Sequence, residues 1–307
     1  MSDSPMLMLR AQLRALQSTL DPRRPPAPAE VRAWLDAMSP GASPGLDVRA
    51  MRIEGSLDGS MPAVDAEWIV PRGADPTLRL VYLHGGGYVA GSPRSHRGLA
   101  ARLARAAGCV ALVPDYRLAP EHPCPAAIED ARRALAHAFD HGPDGPAPAA
   151  RVLLAGDSAG GGLALATALA ARDRGERLPA RMATLSAWTD LACTGASMTS
   201  RAEVEAMLPV PLIRDWPRHY LGGRDATDPA ASPLYADLAD LPPLLMQVGD
   251  AEVLLDDTVR FAAKAEKAGV DVRMEVFPEA FHVFQAFAGS LPEGRAALAS
   301  LGAFLVR

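Results

Sequence analysis

The chain has 307 residues, 36 acidic and 31 basic, with a net charge of −5 and 49% apolar residues. That length and apolar content can bury the core of one large domain, and the mild negative charge speaks against a nucleic acid as main partner, which selects a basic face. Only Lys264 and Lys267 are lysines, against 29 arginines, which excludes a P-loop, a Ser-x-x-Lys nucleophile pair and a kinase-type lysine on an early strand.

Leu9, Leu13, Leu16 and Leu20 recur at three- and four-residue spacing and predict an amphipathic helix. A proline-rich loop follows over 21–28, then a short helix over 31–38, then a Pro/Gly break over 40–45. From Val48 the pattern turns to period two: 51–54 and 64–70 read as a hairpin with its turn near Asp58-Gly59. Strands are predicted at 78–83, 110–113, 152–155, 182–187, 244–248 and 272–276. Helices are predicted at 95–107, 126–138, 159–171, 256–268 and 295–305. This alternation predicts an α/β fold with a mostly parallel sheet covered on both faces. Residues 192–242 break it with no clear strand, and are expected to form a cap insertion together with an N-terminal cap segment, 1–45.

The three cysteines, Cys109, Cys124 and Cys193, are too few and scattered for a disulfide framework or a thiolate zinc site. No stretch approaches the roughly 18 apolar residues that span a membrane. Met6-Leu7-Met8-Leu9 lacks a basic start and a long apolar run, so a cytoplasmic location is expected.

Gly156-Asp157-Ser158-Ala159-Gly160 fits Gly-x-Ser-x-Gly between an apolar strand and an alanine-rich helix, the setting of a nucleophile elbow. His84-Gly85-Gly86-Gly87-Tyr88 follows another apolar strand, and its side-chain-free amides suit an oxyanion hole. The expected donors are Gly85, Gly86 and Ala159. Ala90 stands where Gly-x-Gly-x-x-Gly would need its third glycine, against a dinucleotide loop. With the chain order Ser, acid, His, the base is His219 or His282, and the loop just past the last strand favours His282. His137 and His141 are four apart without a third ligand, so no metal is expected. Asp256 and Asp257 start a helix and read as N-cap and first-turn residues, leaving Asp250 and Glu252, which spacing does not separate.

These motifs, with Asp115-Tyr116-Arg117-Leu118-Ala119-Pro120-Glu121 and Phe281-His282-Val283-Phe284, resemble those of the bacterial hormone-sensitive-lipase-like carboxylesterases. The resemblance spans roughly 45–307 and implies an α/β-hydrolase catalytic domain over 46–307. It places Glu252 on the triad acid, where the commoner pattern has Asp-Pro-Leu-x-Asp and this chain has Glu252-Val253-Leu254-Leu255-Asp256. It further implies that Asp115, Arg117 and His84 brace the oxyanion loop, that Trp188-Thr189-Asp190 is structural, and that Tyr88 borders the acyl pocket. The implied activity is hydrolysis of short- to medium-chain carboxylic esters, small-molecule substrates, through an acyl-enzyme on Ser158, with no cofactor. A homodimer through the last strand is implied as well. An amidase, lactonase or acyltransferase would use the same triad, and a ligand-binding receptor on this fold is a further alternative, disfavoured by the presence of His282.

Overall fold

A computed structural model describes residues 4–17, 26–38, 46–56 and 61–307. The period-two stretches form a hairpin of β1 (Asp47–Ile53) and β2 (Val64–Val70), paired antiparallel from Asp47↔Val70 to Ile53↔Val64. Its turn at Asp58-Gly59 lies outside the described residues, as do Leu20, 21–25 of the proline-rich loop and the break over 40–45.

The apolar runs all join one sheet: β3 (Asp75–Leu83), β4 (Cys109–Pro114), β5 (Arg151–Asp157), β6 (Arg181–Leu185), β7 (Leu244–Gly249) and β8 (Val272–Phe277). The strand order is β1-β2-β4-β3-β5-β6-β7-β8. Strand β2 runs antiparallel to β1 and β4, and the other pairs are parallel. Strands β4 and β7 are buried along their whole length, as continuous apolar runs between two helical layers should be.

The helices are α1 (Pro5–Gln17), α2 (Pro28–Met38), α3 (Pro93–Ala106), α4 (Ala126–Asp140), α5 (Ala159–Asp173), α6 (Ser197–Ser200), α7 (Val210–Leu221), α8 (Leu255–Lys267) and α9 (Pro292–Leu305). Alternation along β3 sorts the two layers. Leu80 and Tyr82 meet Leu99 and Leu103 of α3 and Leu301 of α9, while Val81 and Leu83 belong with α4 and α5. Each buried aliphatic side chain contributes about 1.5–3 kcal/mol.

The site follows from the strand order. The chain leaves β3 to one side to make β4, then crosses back to make β5 on the other, so the sequence of strands reverses at β3. Leu83 aligns with Gly156 across β3 and β5, which sets the His84-Gly85-Gly86 loop beside Asp157 and Ser158 at the carboxyl ends of the strands. The 192–242 stretch holds α6, α7 and a 3-10 turn, Pro233–Tyr235, and no strand.

Candidate active site

Ser158 sits between the end of β5 and the first turn of α5 with φ 54° and ψ −124°, a left-handed conformation that costs a non-glycine residue about 1–3 kcal/mol. The strand-to-helix turn holds it there. Its N–H donates to the Leu185 carbonyl at 2.8 Å, and its own carbonyl accepts from Trp188 at 2.9 Å. Any Cβ on Gly160 would collide with the Leu83 and His84 carbonyls, so the motif's second glycine is what lets α5 approach β3.

The glycine loop departs from expectation by one residue. Gly85 donates its N–H to Asp157 Oδ1 at 3.2 Å, and the cavity is lined by Gly86 and Gly87 instead. Gly86 takes φ 121°, where a side chain would strike the Ala90 carbonyl. The amides of Gly86, Gly87 and Ala159 have no protein acceptor among the described residues. Asp157 also accepts from Tyr82 at 2.7 Å, and His96 Nε2 lies 3.4 Å from its other oxygen. Burial pushes the Asp157 carboxyl up, but His96 and Tyr82 outweigh it and hold it below the usual range.

The loop's supports also differ from those expected. His84 braces it as predicted: its ring is fully buried, stacked on Tyr116 at 4.2 Å, with Nδ1 donating to the Gly85 carbonyl at 2.9 Å. Burial pushes this imidazole down to about 3, so it is neutral. Asp115 and Arg117 do not brace the loop. Asp115 is exposed, and Arg117 forks onto the buried Asp130 of α4 at 2.8 Å. The residue between them does the bracing: Tyr116 donates to the His84 carbonyl at 2.6 Å. From outside, Arg32 of α2 bonds the Val89 and Ala119 carbonyls at 2.7 and 2.8 Å and pairs with Glu121.

On the other side of the cavity, His282 Nδ1 donates to Glu252 Oε2 at 2.7 Å. Glu252 is fully buried, and its second oxygen accepts from Ser186 Oγ at 2.8 Å and Gly249 N–H at 2.6 Å, so its lone pairs are satisfied. Ser186 Oγ in turn accepts from Val283 N–H at 3.1 Å. Asp250 faces elsewhere: its Oδ1 accepts the Glu279 N–H at 2.6 Å and shapes the turn that leads to His282. His219 is held on α7 near Asp215 and is not among the cavity's lining residues. Nothing in the sequence pattern marks Ser186 or Glu205. The buried Glu205 accepts from Met207, Leu208 and Val253 amides, tying the insertion to the loop that carries Glu252.

Ser158 and His282 line one cavity of about 540 Å³. The N-terminal segment and the insertion both reach it, through Trp34 and Leu35 of α2 and through Met207, Leu208 and Trp216. Helix α1 backs the His282 loop, with Met6 in one buried cluster with Phe281 and Phe284 and Arg10 paired with Glu279 at 2.6 Å. Of the other methionines of these segments, Met198 is buried and Met8 is exposed; the side chain of Met38 lies outside the described residues. Tyr88 does not line the cavity. Its φ of 63° turns the ring under the loop, where it stacks on Tyr220 at 3.8 Å. Asp256 and Asp257 stand in the first turn of α8, but Leu254 is its N-cap. Asp257 instead holds the amides of Thr189 and Asp190 at 2.8 Å, which makes the Trp188-Thr189-Asp190 segment a packing element.

The family model described as alpha/beta hydrolase fold matches residues 80–286. A solved esterase of the bacterial hormone-sensitive lipase family is 41% identical, with a TM-score of 0.87 over 100% of this chain and 99% of its own. The chain belongs to the bacterial hormone-sensitive-lipase-like esterases. Among its relatives in this family, an acetyl-hydrolase of Streptomyces hygroscopicus is 48% identical over 78% of this chain and 79% of its own length. An esterase of Acinetobacter venetianus is 34% identical over 91% and 88%. The structure of EstE5 soaked with p-nitrophenyl butyrate is 38% identical, with a TM-score of 0.88 over 98% and 97%. No described helix of this hormone-sensitive-lipase-like esterase is long and apolar enough to cross a membrane.

Proposed function

We propose that this esterase hydrolyses short- to medium-chain carboxylic esters through an acyl-enzyme on Ser158, with His282 as general base and Glu252 as its orienting acid. The observation that carries this reading is the Glu252–His282 hydrogen bond at 2.7 Å, set in the same cavity as a strained serine and unengaged amides. With its Nδ1 proton held by Glu252, the neutral imidazole keeps its lone pair on Nε2. That nitrogen takes the hydroxyl proton as Ser158 Oγ attacks the ester carbonyl carbon. The negative charge gathers on the carbonyl oxygen, where the N–H groups of Gly86, Gly87 and Ala159 are the donors this reading assigns. Collapse expels the alcohol, which takes the proton from His282. Water then attacks the acyl-enzyme with His282 again as base, releasing the carboxylic acid. Side chains, amides and water suffice for these steps. A cavity of about 540 Å³ walled by Leu99, Leu208 and Phe287 suits small apolar acyl groups. The test is labelling by a fluorophosphonate together with turnover of p-nitrophenyl butyrate. A panel in which amides or lactones turn over faster than esters would transfer the reading to those acceptors.

The pH profile tests the base. Burial lowers the His282 pKa, but the hydrogen bond and charge of Glu252 outweigh it, so the value stands above the ordinary 6.5. The base must be neutral to accept a proton, so kcat/KM rises with pH and its acid limb lies above 6.5. In Glu252→Gln the anion that stabilises the imidazolium is gone, so the limb moves to lower pH. An acid limb below 6.5 in the wild type overturns the assignment.

A homodimer through β8 is part of the same proposal. This edge strand leaves Met274 and Val276 at 41% and 40% exposure with an unpaired backbone edge. Light scattering is expected to give a dimer, and Val276→Lys to shift it to monomer; a monomeric wild type at micromolar concentration sinks this part alone.

A further inference from the structure

Arg102 stands on α3 along the wall of the cavity that holds Ser158 and His282, and it is the only lysine or arginine among the described residues lining it. Its side chain is half-buried, yet no described carboxylate, carbonyl or hydroxyl pairs with it. Other shielded arginines of this chain do have partners: Arg97 has Glu67, Arg117 has Asp130, and Arg132 has both Glu129 and Glu176. The one carboxylate among the described residues lining the cavity, Asp157, is already engaged by Tyr82, Gly85 and His96. A guanidinium is always charged and offers five donors in a planar fork. Held against apolar neighbours such as Leu99 and Phe287 without a counter-charge, it loses hydration that an incoming anion would repay. Two glycines flank it. A Cβ on Gly289 would stand 3.4 Å from one terminal nitrogen, and one on Gly98 would stand 3.6 Å from the other. The absence of side chains there leaves the fork open to a ligand.

We infer that the cavity selects esters bearing a second, anionic group, a carboxylate separated from the scissile ester by a spacer, and that Arg102 is the residue that recognises it. This rests on the esterase reading above and names a substrate class for the same site. Arg102 folds back along α3, so its guanidinium lies beside Gly98, about 3 Å of helical rise beyond His96, which stands by Asp157 at the Ser158 end. The spacer spans the remaining distance past His96 to Ser158.

The experiment compares charged and neutral esters of matched length in two arms. One arm uses p-nitrophenyl monoesters of dicarboxylic acids of increasing length against p-nitrophenyl esters of fatty acids of the same length. The other uses acetyl esters of hydroxy acids against acetyl esters of plain alcohols, which places the anion on the leaving group. In at least one arm the ratio of kcat/KM for charged over neutral ester is expected to fall about tenfold in Arg102→Gln and to be partly kept in Arg102→Lys. The wild-type ratio is expected to shrink as salt rises to about 0.5 M. A ratio that is unchanged by Arg102→Gln in both arms overturns the inference. Should that variant fail to fold, a salt-independent wild-type ratio overturns it equally. Turnover of neutral esters with no charge discrimination defeats this inference alone, whereas no turnover of any ester defeats the esterase reading itself.

Discussion

Ser158→Ala is expected to lower kcat for p-nitrophenyl butyrate by about 10⁴- to 10⁶-fold, and to leave the protein folded with its thermal midpoint nearly unchanged. The two halves of that outcome have separate physical grounds. The loss follows because the hydroxyl is the only atom removed and it is the one that forms the acyl bond; what remains is water attack helped by the amides and the cavity. The preserved fold follows because no structural hydrogen bond runs through Oγ. The backbone of residue 158 is held by its N–H on Leu185 and its carbonyl under Trp188, both indifferent to the side chain. Alanine keeps the Cβ, so the strain at φ 54° is neither added nor released. Burst labelling by a fluorophosphonate should vanish in parallel. Turnover retained at the wild-type rate would remove Ser158 from the mechanism and with it the acyl-enzyme.

The parts of this molecule legible in the sequence are those that physics makes local. The buried strands announce themselves as apolar runs, because a parallel strand covered on both faces has no polar side to show. The elbow is legible because glycines must stand where α5 presses on β3, and Gly160 meets the Leu83 carbonyl there. Helix α7 is not legible because Pro217 sits inside it; the helix is held by Leu212, Ile213, Trp216 and Tyr220 packing inward, a tertiary gain that exceeds the local cost. In the glycine loop three identical residues conceal their register. What distinguishes them is Asp157, which claims the Gly85 amide and leaves Gly86 and Gly87 on the cavity. The family resemblance sets Tyr88 at the border of the acyl pocket, but its positive φ sends the ring the other way. Tyr116 braces the loop in place of Arg117 because adjacent residues after β4 point to opposite sides, so the arginine reaches α4 and the tyrosine reaches the loop. Ser186 and Glu205 carry no local signature at all, since each acts by contacting a segment distant in sequence.

The two acids in the loop after β7 give the second decisive comparison. Glu252→Gln is expected to lower kcat by about 10³- to 10⁴-fold, while Asp250→Asn stays within about threefold of wild type. Glutamine keeps the shape of the buried side chain but can present an amide N–H to His282, which would favour the tautomer with its lone pair on Nδ1 and leave Nε2 protonated, unable to accept from Ser158. It also removes the charge that stabilises the imidazolium formed during attack. Ser186 and the Gly249 amide, both donors to one oxygen of Glu252, would still hold the glutamine carbonyl. That arrangement directs the amide nitrogen to the oxygen site facing His282, which is why the glutamine variant should be worse than simple loss of charge. Glu252→Asp shortens the side chain by one methylene and should recover part of the rate only if the loop relaxes toward the ring. Asp250→Asn keeps an acceptor for the Glu279 N–H, so the turn before His282 survives with a small loss of stability. A larger rate loss at position 250 than at 252, with both variants folded, would reverse the assignment and make the observed Glu252–His282 bond a resting contact rather than a working one.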